Sequence, residues 1–344
     1  MHECVGAIHL HSNYSDGSGS VDEIISAAEG TGVDFLILTD HNSLEARESG
    51  YEGWNDNVLL IVGDEISGKA GHCLALGISV HVDHRQDPAG ILDGIRKQGG
   101  HSYIAHPHGR YRPLLMLRDH SWKDWQADRA TGLELWSYMF DWASSFHYYK
   151  FPRYYREPDA CIAGPSPETI AKWDELCQRR RVVALGGVDA HARKVPLLPF
   201  VVFPYREQFK TIRTHVLCPS PLVRDAGQDI PNVLGTLASG RCFLAFDGLA
   251  DATGTRFQTA DGDLIMGEET VFEREVELEI LLPLEASITL VRDGRSVKTE
   301  TAESMRYRAD IPGVYRVEAR LNGSAWLYTN PIYLRNHPLD RTNT

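Results

Sequence analysis

Short apolar runs alternate with helical patterns along the first two-thirds of the chain. Runs of strand length occupy residues 7–11, 34–39, 58–62, 73–78, 103–105, 133–136 and 182–185. After the first run, Ser20 and Glu23 form a capping box, and Val21, Ile24 and Ala28 follow at helical spacing. Because buried parallel strands carry near-continuous apolar runs, this alternation predicts a parallel sheet covered by helices.

The last part of the chain has a different pattern. Val276, Leu278 and Ile280 alternate with glutamates, and turn signals such as Asn322-Gly323 separate short strands. This pattern predicts a small all-β, immunoglobulin-like sandwich. We place the boundary near Asp251, which gives an α/β barrel in residues 1–251 and a C-terminal β-sandwich domain in residues 252–344.

Composition narrows the class of protein. The 344 residues include 35 basic and 47 acidic side chains, for a net charge of −12. That balance opposes general nucleic-acid binding, which needs a basic face. No apolar run approaches the roughly 18 residues of a membrane-spanning helix, and the N-terminal residues lack the apolar stretch of a secretory signal. The six cysteines show no C-x-x-C spacing. We therefore expect a cytoplasmic protein with reduced cysteines and no membrane partner.

Histidines and carboxylates follow the apolar strands. His9 and His11 form an H-x-H in the first strand, where alternation would place both on one face. In a parallel barrel the carboxyl ends of the strands converge on one rim, where the chemistry is found. The side chains that would meet there are His9, His11, Asp16, His41, Glu65, His72, His106, Asp189 and His191. Nitrogen and oxygen ligands without thiolates suit zinc, manganese or iron.

Several other residues are candidates of lower rank. Asp40 is expected to orient a ligand rather than to bind metal. His108, two residues after His106, is the candidate acid for a leaving group. Half of the residues from Trp136 to Tyr155 are aromatic, which fits either packing between the domains or a wall over a substrate pocket. The arginines that could contact a substrate are Arg47, Arg110, Arg112, Arg156 and Arg193, and none of them stands out.

The combination of these motifs resembles the polymerase-and-histidinol-phosphatase (PHP) superfamily. It comprises His9-x-His11, Asp16, Thr39-Asp40-His41, Glu65, His72, His106-Pro107 and Asp189-x-His191. A narrower resemblance, to the carbaryl-hydrolase-like branch of PHP metallohydrolases, covers most of the chain. It is carried by segments such as Thr39–Leu44, Gly132–Trp136, Gly186–His191 and Asn330–Tyr333.

The resemblance implies a distorted seven-stranded (β/α) barrel with two or three divalent metal ions. One ion would be held by His9, His11, Glu65 and Asp189. Glu65 would bridge to a second ion held by His72 and His106, and Asp16, His41 and His191 would hold a third. Asp16 stands where some phosphatase members have histidine. A hydroxide bridging two ions would be the nucleophile, with Glu65, Asp189 and His191 as catalytic residues besides binding metal.

We expect from this a metal-dependent hydrolase that cleaves small organic phosphate esters. Three divalent ions, three carboxylates and one hydroxide leave a net charge of about +2, which suits an anionic substrate. With two ions the same count is about zero, so a carbamate, ester or amide hydrolase is the alternative. A nuclease is disfavoured by the net charge, and a non-catalytic binding module by the complete ligand set. A homodimer is left open, as are the native metal and the role of the sandwich.

Overall fold

The computed structural model describes residues 1–109, 119–126, 129–145, 156–194 and 201–337. Within these ranges the chain forms a large mixed sheet, a second sheet of five strands, a short two-stranded ribbon and covering helices. The mixed α/β class expected from the alternating pattern is confirmed. No helix in the described ranges combines the length and the apolar surface that crossing a lipid bilayer requires.

The large sheet has 13 strands and includes both ends of the described chain. In the first part of the chain its strands are β1 (His2–Leu10), β2 (Phe35–Leu38), β3 (Gly53–Asn55), β4 (Val58–Val62), β12 (Ile212–Cys218) and β13 (Cys242–Phe246). The later strands are β14 (Arg256–Thr259), β15 (Glu269–Val271), β16 (Val276–Arg292), β17 (Arg295–Ala309), β18 (Gly313–Leu321), β19 (Ser324–Thr329) and β20 (Ile332–Arg335). Strand β1 lies between β2, to which it is parallel, and β12, to which it is antiparallel.

The second sheet contains five strands, and several of the predicted metal ligands lie on or next to them. In spatial order they are β5 (Asp64–Gly68), β6 (Gly71–Leu76), β7 (His101–Ile104), β8 (Gly132–Ser137) and β9 (Val183–Gly187). The pairs β7–β8 and β8–β9 are parallel, and the pairs that involve β6 are antiparallel. The separate ribbon consists of β10 (Arg193–Lys194) and β11 (Val201–Val202).

The helices cover these sheets. They are α1 (Val21–Ala28), α2 (Glu45–Glu48), α3 (Pro88–Lys97), α4 (Tyr138–Ser144), α5 (Pro167–Arg179), α6 (Tyr205–Gln208) and α7 (Ala226–Ala238), with a 3₁₀ turn at Pro158–Cys161. The predicted capping box starts α1, because the Ser20 side chain accepts from the Glu23 backbone and Glu23 reaches back to Ser20. Val21, Ile24 and Ala28 are the buried face of this helix, as their spacing predicts.

The two sheets face one another without forming one continuously paired barrel. Ile8, Ile37 and Ile61 of the first sheet share a buried cluster with Leu74 and Leu185 of the second. Among the described residues the sheets are joined by isolated parallel bridges, one between Leu10 and Ala190 and one between His41 and Glu65. The closed seven-stranded barrel expected from the sequence is therefore not found as a continuous ring of paired strands.

Gly63 lies where the chain passes from one sheet to the other. It separates β4 from β5, and a Cβ atom there would come within 2.8 Å of the Ala75 carbonyl oxygen. A larger residue would push β6 away from this junction. The glycine therefore allows the chain to turn between the sheets just before Glu65.

The C-terminal strands extend the large sheet. Strand β13 pairs with β19, so that Phe243 is opposite Thr329. One buried cluster joins Phe243 with Phe257, Ile280 and Trp326. The all-β composition of the region matches its alternating pattern, but the separate immunoglobulin-like sandwich is not confirmed. The proposed boundary at Asp251 stays a prediction.

Candidate metal centre

The candidate ligands lie at the ends of strands or in the loops that follow them. His9 is in the last part of β1 and His11 directly after it, and His41 follows β2. Glu65 and His72 lie on the antiparallel pair β5–β6, and His106 follows β7. Asp189 and His191 follow β9, and Asp16 lies in the loop between β1 and α1. The nine residues therefore come from both sheets and face the junction between them.

The H-x-H pair is placed by an irregular strand rather than by simple alternation. The register of β1 against β2 shifts between Ile8 and Leu10, and His9 has a φ of 71°. The expected regular alternation of His9 and His11 is therefore wrong in detail. His106 (φ 28°) and Asp189 (φ 53°) also adopt the left-handed region. Each such residue costs about 1–3 kcal/mol and persists where its surroundings hold it, often at functional sites.

Glu65 is the centre of the cluster. This side chain is buried, and its two oxygens face ring nitrogens from five histidines. Oε2 lies 3.1 Å from His9 Nε2, 3.2 Å from His11 Nε2 and 3.1 Å from His41 Nδ1, and Oε1 lies 2.7 Å from His72 Nδ1 and 3.1 Å from His106 Nε2. The Glu65 carboxylate is thus shared among histidines that lie in or next to strands β1, β2, β6 and β7.

The other two candidate carboxylates contact His191, the remaining histidine, and three of the histidines that also contact Glu65. Asp189 Oδ1 lies 3.2 Å from His11 Nε2, and 3.5 Å from both His9 Nε2 and His191 Nδ1. Asp16 Oδ1 lies 2.9 Å from His191 Nε2 and 3.7 Å from His41 Nε2. Asp16 is the most exposed member, so this side of the cluster is open to solvent.

The potential ligand atoms form four overlapping groups. In each group, the atoms lie within 4.8 Å of one another. The groups are His9–Glu65–His106, His9–His11–Asp189, His41–Glu65–His72 and His11–Asp16–His41–His191. All nine predicted residues occur in at least one group, so the structure brings the whole set together.

Buried polar atoms at the centre fit a shared cation. His9 Nε2, both ring nitrogens of His11 and Glu65 Oε2 are buried and have no hydrogen-bond partner in the described part of the chain. The Nε2 atoms of His9 and His11 lie 3.1 Å and 3.2 Å from Glu65 Oε2 without hydrogen-bond geometry. Burial of such atoms without a partner is costly, and a cation held between them removes that cost. The nitrogen and oxygen donor set fits zinc, manganese or iron.

The pKa shifts follow from the same crowding. Burial disfavours the charged form of His9, but Glu65, Glu134 and Asp189 outweigh it and raise its pKa well above the ordinary value. His11 behaves similarly, with a pKa of about 9. Burial opposes ionisation of Glu65, yet the surrounding histidines lower its pKa well below the usual range. Glu65 therefore stays charged, and protons on His9 and His11 balance it when no metal does.

The pKa of His41 shifts the other way, to about 4. Burial is the largest cause, and positive charge on His11 and His72 adds to it, whereas Glu65 and Asp16 oppose it. His41 is therefore neutral at physiological pH, the form in which an imidazole binds metal.

Glu134 is a site residue that sequence reasoning missed. It is buried on β8, where Oε1 lies 3.0 Å from His9 Nδ1 and Oε2 accepts from the His106 backbone amide at 2.7 Å. A carboxylate behind a ligating histidine fixes the ring and its tautomer. A lone acidic residue between Leu133 and Leu135 in an apolar strand was the available signal.

His120 also lies beside the cluster, although no spacing in the sequence indicated it. Its Nδ1 atom is 3.1 Å from His72 Nε2, and its ring is 4.5 Å from that of His72. His72 uses its other nitrogen toward Glu65, so His120 is placed to orient the His72 ring. It is not part of the four ligand groups found among the described residues.

Asp40 and His108 lie outside the ligand groups. Asp40 accepts hydrogen bonds from Ser12 N (2.7 Å), Ser12 Oγ (2.6 Å) and Ser15 Oγ (2.5 Å), so it fixes the loop that carries Asp16. His108 Nδ1 is 2.8 Å from Thr169 Oγ1, and its ring stacks on Trp125.

The candidate arginines and the aromatic segment are only partly described. Arg193 lies near the cluster, with Nη2 at 3.4 Å from Asp16 Oδ2. Arg47 pairs instead with Glu52. Arg110, Arg112 and the aromatic residues 146–155 lie outside the described ranges.

Comparison with known proteins gives distant similarities. A two-domain protein from Bacteroides vulgatus, which contains a predicted PHP-like metal-dependent phosphoesterase, is 16% identical with a TM-score of 0.47, over 96% of this chain and 95% of its own. An amidohydrolase from Chromobacterium violaceum is 17% identical with a TM-score of 0.34, over 59% and 95%. An uncharacterized protein of Methanocaldococcus jannaschii is 27% identical over 120 residues, which cover 31% of this chain and 68% of the relative.

The family comparison covers the first part of the chain. The matched segment includes His9, His11, Asp16, His41, Glu65, His72 and His106, whereas Asp189 and His191 lie beyond it. Residues 7–155 match the model of the PHP domain.

Proposed function

We propose that this chain is a metal-dependent phosphoesterase that hydrolyses small organic phosphate esters. The observation that carries the proposal is the sharing of Glu65 among five histidines, within a cluster that forms four overlapping ligand groups, two of which include Glu65. The match of residues 7–155 to the PHP domain supports the coarser assignment, a metal-dependent hydrolase.

The proposed metal sites use the nine residues in three sets. His9, His11, Glu65 and Asp189 hold one ion, Glu65, His72 and His106 a second, and Asp16, His41 and His191 a third. The grouping of Asp16 with His41 and His191 supports the third set, and His11 also reaches it. Bound divalent ions would supply Lewis-acid polarisation of a phosphoryl oxygen and would activate water as the nucleophile.

The chain's own residues have distinct tasks in this proposal. Glu134 holds the ring of His9, and Asp40 holds the loop of Asp16. Arg193, at the open side near Asp16, is available to an anionic substrate. His108 is proposed as the proton donor to the leaving oxygen, because it lies beside His106 in the wall of an adjoining cavity. The P–O bond to the leaving group would break as the water oxygen bonds to phosphorus, with His108 giving its proton to the departing alkoxide and the attacking water releasing a proton to solvent.

A carbamate, ester or amide hydrolase with the same residues is the second candidate. The cavity beside His106 favours it, because Glu134 and Asp141 lie in its wall and disfavour a second negative charge there. The narrower resemblance to the carbaryl-hydrolase-like branch stays a prediction and points the same way. A soluble cytoplasmic location, a small-molecule substrate and a homodimer also stay predictions.

Initial rates on four nitrophenyl compounds test the proposal. They are the phosphate monoester, the phosphate diester, the N-methylcarbamate and the acetate, each with manganese- or zinc-loaded protein and a chelated control. Chelator-sensitive hydrolysis of a phosphate ester, lost in Asp189→Ala and in His191→Ala, is the expected result. Reaction of the carbamate or acetate alone would replace the phosphoesterase assignment with the second candidate.

A further inference from the structure

A cavity of about 560 Å³ adjoins the candidate metal centre. His106 and Glu134 form part of its wall, so it begins directly beside residues that hold the cluster. Volumes of 300–1,000 Å³ are typical of sites for small organic ligands. The cavity is therefore large enough for an organic group attached to a phosphate at the metals.

The wall of this cavity is built from several parts of the chain. Strand β8 and helix α4 contribute Trp136 and Phe140, and helix α5 contributes Ile170. Tyr328 and Arg320 come from the C-terminal strands β19 and β18. The C-terminal region is thus a structural part of the cavity beside the candidate metal centre.

The inner wall favours an apolar occupant. The Phe140 ring lies 4.2 Å from that of His106, and Tyr328 packs edge-on against Trp136 at 5.8 Å. Aromatic faces bury apolar groups with a large gain in free energy. The aromatic side chains and Ile170 give this part of the wall its apolar character.

Charge in the wall disfavours an anionic occupant. Buried Glu134 and Asp141 both line the cavity, and Asp141 accepts from Trp136 Nε1 at 2.9 Å and from the Gly164 amide at 2.8 Å. Among the described lining residues Arg320 is the one lysine or arginine, and it is exposed. A second negative group on the substrate would face these two buried carboxylates.

A buried hydroxyl in the wall is available for an occupant to contact. Ser137 is 7% exposed, lies in the wall, and its hydroxyl has no hydrogen-bond partner among the described residues. Buried hydroxyls normally have a partner, so this one marks a place where a ligand oxygen would be accommodated.

We propose that this cavity receives the leaving group of the substrate and that this group is an apolar, uncharged alcohol. The proposal rests on the hydrolase function proposed above.

Three alkyl phosphates of similar intrinsic reactivity test the size and charge of the leaving group. They are ethyl phosphate, hexyl phosphate and 5-carboxypentyl phosphate, and the measured quantity is kcat/KM for phosphate release. We expect the hexyl ester to exceed the ethyl ester by tenfold or more, and the carboxypentyl ester to lose that advantage. Equal values for ethyl and hexyl esters would overturn the proposal.

Two variants that block the cavity from different walls test whether the preference for the hexyl ester arises in the cavity. Ser145 and Ile170 both line the cavity, and Ser145→Trp and Ile170→Trp would fill it. We expect each to reduce the hexyl-to-ethyl ratio by about tenfold. Thr301→Trp, at an exposed position of β17, is the matched control and should keep the wild-type ratio. Thermal unfolding of each variant checks that it is folded, and a ratio unchanged in both folded variants would contradict the proposal.

A binding measurement separates this proposal from the proposed function. Cyclohexanol, an uncharged apolar probe, is followed by ligand-observed NMR on the protein without added metal. We expect binding to the wild type and to Thr301→Trp, and its loss in both blocking variants. If cyclohexanol binds but no ester is hydrolysed, the proposed hydrolase function is wrong, and the leaving-group assignment is overturned with it. Turnover of esters without binding would overturn the cavity proposal alone.

Discussion

Oε1 of Glu134 lies 3.0 Å from Nδ1 of His9, on the side of the ring opposite the other candidate ligands. Both residues are buried, so the contact is shielded from solvent. It fixes which nitrogen of His9 faces Glu65 and Asp189. Two variants test whether this support matters for metal binding.

Glu134→Gln should weaken metal binding by about 10–100-fold, the usual effect of losing a carboxylate behind a ligating histidine. Calorimetric titration of the metal-free protein with zinc or manganese measures the affinity. Glu303→Gln makes the same chemical change at an exposed position of β17 and should leave affinity unchanged. Equal affinities for the two variants would show that Glu134 does not support the site.

Gly187→Ala should disturb the same contact from the neighbouring strand. A Cβ atom at Gly187 would overlap Oε1 of Glu134 and come within 3.1 Å of the Cβ of His9. We expect reduced metal affinity together with a lower melting temperature. Gly235→Ala is the matched control, because nothing lies within 4 Å of its added Cβ in helix α7. That variant should be as stable as the wild type or slightly more so.

Asp40→Asn should loosen the loop that carries Asp16. The change removes the negative charge that accepts hydrogen bonds from Ser12 and Ser15, each worth about 1.5–3 kcal/mol. We expect weaker metal binding at the group formed by His11, Asp16, His41 and His191. Metal binding at the groups that include Glu65 should change little. A metal titration that resolves the separate binding events measures this. Asp310→Asn, at an exposed position, is the control, and a loss of all events to the same extent would argue against a local effect.

His215 predicts a pH-dependent contribution to stability far from the metal candidates. It is buried between Glu3 Oε1 (2.9 Å) and Asp247 Oδ2 (3.0 Å), and Arg256 and Arg213 approach the same carboxylates. Burial opposes its charged form, but the hydrogen bonds to Asp247 and Glu3 outweigh it and raise the pKa of His215. The stabilisation is therefore complete below the unfolded pKa of about 6.5 and is lost as pH rises through the folded value.

Urea unfolding of the wild type and His215→Gln between pH 5.5 and 9 measures this contribution. We expect the variant to be less stable by about 3–5 kcal/mol at the acidic end, as for other broken buried pairs, with a smaller difference at the alkaline end. His337→Gln, at an exposed position, should show no such trend. A difference that grows with pH would contradict the assigned direction of the pKa shift.

Most of the ligand set could be predicted because its members lie within or shortly after apolar runs, whereas His72 precedes one. His106 was found from its position after a strand, and His9 and Asp189 also from the H-x-H and D-x-H spacings, although the left-handed backbone of all three was not evident from the sequence. Glu134 and His120 were missed for different reasons. Glu134 is one acidic residue within a strand, and His120 lies in a loop whose position depends on contacts with His72.

The element pattern was easier to predict than the pairing of the strands. The helix at Val21–Ala28 and the strand at Val58–Val62 match the periodic signal, because that signal is local. The pairing of β13 with β19 joins residues distant in sequence, such as Phe243 and Thr329. Such non-local pairing leaves no trace in a local pattern, which explains why the C-terminal strands were expected to form a sandwich of their own.

The metal content of the purified protein shows whether the residues around Glu65 form a metal centre. Wild type, Glu65→Gln and Glu303→Gln are stripped with chelator, dialysed against zinc or manganese, and analysed by plasma mass spectrometry, with circular dichroism to confirm folding. Because Glu65 contacts five of the six candidate histidines, we predict at least two ions per chain in wild type and Glu303→Gln, and a loss of at least one in Glu65→Gln. Equal metal content in folded Glu65→Gln and wild type, or no bound metal in either, would contradict the account.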